Sequence, residues 1–91
     1  MEKVRKSIIF AGRVQGVGFR YRACYAAKGL GVTGWVKNEW DGSVAMEAQG
    51  SETQINQMLT LLNKDNYIRI DKMDMQNIPL EEDERGFHVR G

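Results

Sequence analysis

The sequence predicts an α+β fold: a two-layer sandwich in β-α-β-β-α-β order with a short closing strand, two helices covering one face of a mainly antiparallel sheet. Three observations carry this. Apolar residues alternate in short stretches that suit strands, and in two other stretches, after Gly18 and after Ser51, they recur at helical spacing. The junctions between them hold glycine, Asp-Gly and capping residues where chains turn. At 91 residues, with 42% hydrophobic and 27% charged residues, the chain is sized for one domain spanning 1–91 around a single modest core.

Residues 3 to 13 form the first strand, with Val4, Ile8, Phe10 and Gly12 on one face and Ile9 and Ala11 on the other, so both faces are partly covered. A glycine-rich loop follows. Phe19, Ala23, Ala26, Ala27 and Leu30 then mark a helix that Gly31 stops. Val32 to Glu39 alternates as a second strand, and Asp41-Gly42 signals a hairpin into a third, with Val44, Met46 and Ala48 on one face. Gly50-Ser51 breaks it, and Ser51 with Gln54 reads as a capping box. Ile55, Met58, Leu59 and Leu62 form the apolar stripe of helix two. Asn63 to Asn66 is a polar turn, Tyr67 to Ile78 an extended segment with Ile68 and Ile70 in phase, and Pro79 ends it. Glu81 to Glu84 is expected as an exposed acidic loop, and Phe87-His88-Val89 as the closing strand. This order describes a ferredoxin-like sandwich.

Several function classes are excluded at this level. The longest apolar run near the N-terminus, Ile8 to Ala11, is too short for a signal peptide or a membrane span. Cys24, the single cysteine, cannot form a disulfide within the chain, which suits a reducing, cytoplasmic setting, and it gives no metal-ligand spacing. The net charge of +1 conceals an asymmetry: residues 1–38 carry eight Lys or Arg against Glu2 alone, and residues 39–91 carry five against eleven acids. A basic half favours small anions, while near-neutrality and the lack of an RNP-like aromatic run argue against nucleic acid. His88 reads as an edge or surface residue, and Met46, Met58, Met73 and Met75 as core or surface filling. Trp35 is expected against the sheet, and Trp40 exposed at the hairpin, a candidate flank for a bound ligand.

The chemistry concentrates in Gly12-Arg13-Val14-Gln15-Gly16-Val17-Gly18-Phe19-Arg20. Three glycines in seven positions allow successive N–H groups to face one point, and Arg20 adds a fork of donors matched to phosphate oxygens. Helix one begins there, bringing its unpaired N–H groups and partial positive charge. A Walker loop would need Lys then Ser or Thr after the last glycine, and a dinucleotide fingerprint would need a third glycine at Tyr21. From the residues alone, a phosphate cradle and a plain strand-to-helix turn with Arg20 as a surface cation both stay open.

That run, and Gly34-Trp35-Val36-Lys37-Asn38 followed by Asp41-Gly42, resembles the signature of the acylphosphatases, in the family's order and separation. The likeness covers about residues 5 to 50, and Phe87-His88-Val89 is similar to the family's closing strand. Departures are Asn63-Lys64-Asp65-Asn66, where a Gly-Pro turn is frequent, and Gly29 in the last turn of helix one. The resemblance implies hydrolysis of the carboxyl-phosphate anhydride of an acyl phosphate, with no metal, no cofactor and no covalent intermediate. By the same resemblance Arg20 and the backbone N–H groups of Gln15, Gly16, Val17, Gly18, Phe19 and Arg20 bind the phosphoryl group, and Asn38 orients the attacking water. A small-molecule substrate, competition by inorganic phosphate or sulfate, a freestanding monomer, and no membrane or nucleic-acid partner are the matching expectations. The alternative is an acyl- or carbamoyl-phosphate binding module without turnover, similar to the domain in hydrogenase-maturation carbamoyltransferases.

Overall fold

The computed structural model describes residues 2–91. Its elements run β1 (Val4–Arg13), α1 (Phe19–Leu30), β2 (Thr33–Asn38), β3 (Val44–Gly50), α2 (Glu52–Asn63), β4 (Arg69–Ile78) and β5 (Phe87–Arg90). The five strands form one sheet in the order β4-β1-β3-β2-β5, antiparallel throughout except for the β2–β5 pair, which is parallel. The ferredoxin-like α+β fold is the one predicted, with β5 added as an outer strand.

Register explains where the core sits. Ile8 lies opposite Met46, Met46 opposite Val36, and Val36 opposite Val89, so these residues share one face of the pleat. Ile8, Met46 and Val36 pack with Phe19, Ala23 and Ala27 of α1 and Ile55, Met58 and Leu62 of α2 in a single buried cluster. One row further along, Phe10 lies opposite Val44 and Val44 opposite Asn38. Asn38 therefore ends β2 on the helix-covered face, in the same row as Phe10, against whose ring Phe19 packs with centroids 4.8 Å apart. This row carries the start of α1 and the end of β2 to one place.

The capping box forms as expected: the Ser51 hydroxyl accepts from the Gln54 N–H, and the Gln54 side chain accepts from the Ser51 N–H. Gln54 also donates to the Leu30 carbonyl at 2.8 Å, tying the start of α2 to the end of α1. Where the family often has Gly-Pro, Asp65 holds the turn by accepting from the Tyr67 N–H and pairing with Arg22 of α1 at 3.1 Å. That bond keeps Tyr67 in the turn, so β4 starts at Arg69 rather than Tyr67. Gly29 lies in α1 with right-handed backbone and open space where a Cβ would stand. Gly29→Ala should accordingly stabilise the fold by about 0.5–1 kcal/mol, read as a rise in Tm of a few degrees.

The acidic loop departs from expectation. Glu81, Glu82 and Asp83 are exposed, but Glu84 turns onto the sheet face away from the helices and meets Arg5, whose side chain is 2% exposed. Arg5 donates to Glu84 at 2.7 and 3.1 Å, to Glu47 at 2.9 and 3.0 Å, and to the side-chain amide oxygen of Gln49 at 3.2 Å. Among the described residues, no helix is long and apolar enough to cross a membrane.

Candidate active site

The glycine-rich loop is pinned at both ends by buried side chains. Val14 and Phe19 are each 1% exposed, so the core holds the exit of β1 and the start of α1. Between them Gly16 and Gly18 adopt left-handed backbone, φ 72° and 81°, which turns the chain back on itself at little cost for a residue without Cβ. Gly18 is the N-cap of α1 and has no side chain to accept from the first-turn N–H groups. Phe19 to Arg22 contains no acid. The positive end of α1 is thus neither capped nor neutralised, the condition that suits a bound anion.

Beside this loop lies a cavity of about 460 Å³ that brings Gly16, Gly18 and Arg20 together with Asn38. Val14, Phe19, Tyr21, Cys24 and Val89 complete its wall, and Arg20 is the one charged side chain among the described lining residues. The Asn38 side-chain oxygen is buried, and no described residue donates to it. An unpaired buried acceptor is expensive unless a bound group supplies a donor, and the residue that bears this one lines the cavity. Burial pushes the Cys24 thiol up, against a smaller opposing effect of Lys28, which keeps it protonated and unreactive near neutral pH.

Two of the six loop residues assigned to phosphate do not line the cavity with their side chains. Val17 packs against the core. The Gln15 amide reaches away to the β2–β3 hairpin and donates to the carbonyls of Glu39 at 2.7 Å and Ser43 at 2.9 Å. Trp40 is 96% exposed at that hairpin and is not among the lining residues. Trp35 faces the opposite side of the sheet, with the Arg90 guanidinium 4.7 Å above its ring. His88 is exposed, one ring nitrogen 2.7 Å from the Arg85 carbonyl. The wall residues Tyr21, Cys24 and Val89 were not anticipated. Cys24 is four positions after Arg20 on α1, a spacing that puts both on one helix face; Val89 depends on the parallel pairing of β5, which leaves no local signal.

Fold and site together define a small α+β protein of the ferredoxin-like class, with an uncapped helix start, Arg20 and Asn38 gathered on one cavity. The acylphosphatase family model matches residues 6–89. An acylphosphatase of Leuconostoc mesenteroides is 45% identical over 82 residues, covering 88% of this chain and 90% of that protein. The crystal structure of acylphosphatase from Bacillus subtilis superposes with a TM-score of 0.88 at 29% identity, covering 97% of this chain and 99% of that one. HypF of T. kodakarensis contains a similar segment, with TM-score 0.80 and 28% identity over 99% of this chain but 12% of that one. The chain belongs to the acylphosphatase family.

Proposed function

We propose that the acylphosphatase activity of this chain runs by direct attack of one water on a phosphoryl group held by the loop and Arg20. The backbone N–H groups of residues 15 to 20 and the Arg20 guanidinium neutralise the non-bridging oxygens. Asn38 accepts a hydrogen bond from the water through its side-chain oxygen, aiming a lone pair at phosphorus without adding negative charge beside a dianion. The new P–O bond forms from water as the P–O bond to the acyl group breaks. The carboxylate leaves with the electron pair, and the water's proton passes to phosphate or solvent. A carboxylate is a good leaving group, so positioning and charge neutralisation suffice without a strong general acid. Among the described residues, no group of three or more His, Cys, Asp or Glu is arranged to hold a metal ion. The same reading takes the chain as a single cytoplasmic domain, 1–91, acting as a monomer with inorganic phosphate or sulfate as competing anions.

Asn38 carries this reading: it lines the cavity with Arg20, and its buried side-chain oxygen has no donor among the described residues. Hydrolysis of benzoyl phosphate by chelator-treated protein tests it. Asn38→Ala should lower kcat by about a hundredfold, as misplacing a reacting group does, while competitive inhibition by phosphate changes little. An unchanged kcat would remove Asn38 from the reaction. The second reading is recognition of an acyl or carbamoyl phosphate without turnover, and tight binding with no hydrolysis would establish it.

A further inference from the structure

The hairpin tip that follows Asn38 has no apolar anchor: Trp40, Asp41 and Gly42 are exposed, and Asn38 is the last residue of β2. Inside the tip, the Glu39 N–H donates to the Ser43 carbonyl at 2.9 Å and the Gly42 N–H to the Glu39 carbonyl at 3.2 Å. Asp41 accepts from the Ser43 hydroxyl and N–H, which holds its carboxyl below the usual range. These bonds shape the tip but do not fix it to the rest of the molecule. The Gln15 amide does, reaching 24 and 28 residues along the chain to the carbonyls of Glu39 and Ser43. Both partners are acceptors, so both protons of the amide nitrogen are used, and a carboxylate in its place would have neither.

We infer that Gln15 is a positioning residue: its side chain locks the arm bearing Asn38 to the loop that cradles the phosphate. Glu39 is bonded directly to Asn38, so the tie acts one peptide from the water-holding residue. This inference deepens the reading of the site given above and rests on it. Distance between cradle and water-holder then depends on one side chain rather than on the packing of the sheet alone.

Gln15→Met keeps most of the volume and removes both donors, and the test compares it with Asn38→Ala and the double variant. Gln15→Met alone should lower kcat for benzoyl phosphate about tenfold to a hundredfold, with the phosphate inhibition constant changed less than about threefold. Added to Asn38→Ala, it should change kcat less than about twofold, because the group it positions is already gone. A wild-type kcat in Gln15→Met, a multiplicative loss in the double variant, or a loss confined to phosphate affinity would overturn the assignment. Amide hydrogen exchange separates this outcome from failure of the functional reading. Exchange at the Glu39 N–H should quicken at least about tenfold in Gln15→Met while α2 amides keep their protection, and unchanged exchange would refute the tie even in a protein that hydrolyses nothing.

Discussion

Replacing Arg20 with alanine should lower kcat for acyl phosphate hydrolysis by about a hundredfold to a thousandfold, the usual loss on removing one donor aimed at transition-state charge. The size of the effect follows from isolation. Arg20 is the one charged side chain among the described residues of the cavity wall, and the first turn of α1 holds no acid that would pull the guanidinium away. In the loose transition state the phosphoryl group flattens and its charge is spread over three equatorial oxygens, a shape the planar guanidinium fork holds in line with water. The loss should therefore fall on kcat as well as on phosphate affinity. Arg20→Lys restores the charge without the planar fork and should recover part of the rate. Arg22→Ala is the control, because that residue is paired with Asp65 at 3.1 Å and does not line the cavity. An Arg20→Ala rate within about threefold of wild type would show that the backbone amides and helix end do the binding alone.

The loop, both helices, the capping box and the hairpin were legible because each is written in neighbouring residues. Glycine spacing, helical periodicity and Asp-Gly are local signals, and Gly34 to Asn38 follows helix one closely enough for the family resemblance to place Asn38. What stayed hidden is long-range. Arg5 reads as a polar residue on an alternating strand, yet it is buried because β3 puts Glu47 and Gln49 beside it and the loop before β5 lays Glu84 over it. Residues 79 positions apart leave no periodic trace of their pairing. Gln15 is a similar case: its backbone belongs to the cradle, but its side chain serves the hairpin, and only the fold distinguishes the two duties. Val89 became a wall residue through strand pairing alone.

Arg5→Ala should destabilise the protein by about 3 kcal/mol, the lower end for removing one partner of a buried ion pair, since Glu47 keeps 28% and Glu84 14% of its side-chain exposure. For a chain of this length that lowers Tm by roughly 10–20 °C, read by calorimetry at neutral pH. Burial opposes the charge on Arg5, but hydrogen bonds and attraction from Glu84 and Glu47 outweigh it and hold the guanidinium above its ordinary value. Arg5 therefore stays charged wherever the fold survives. Burial also acts to raise the Glu84 carboxyl, and it is outweighed by the hydrogen bond from Arg5, one from the Thr33 side chain, and the charges of Arg5 and Arg90, which leave it below its ordinary value. A depressed carboxylate contributes stability that is complete above its unfolded value, near 4.5, and is lost as pH falls through the lower folded value. Wild-type Tm should thus hold down to about pH 5 and then fall, whereas Glu84→Gln should start lower at neutral pH and show a shallower acid decline. An equal acid slope in the two proteins would assign the decline to other carboxylates. Because the loop that Glu84 anchors leads straight into β5, and Val89 of β5 walls the cavity, the same pair also sets how firmly one side of the site is held.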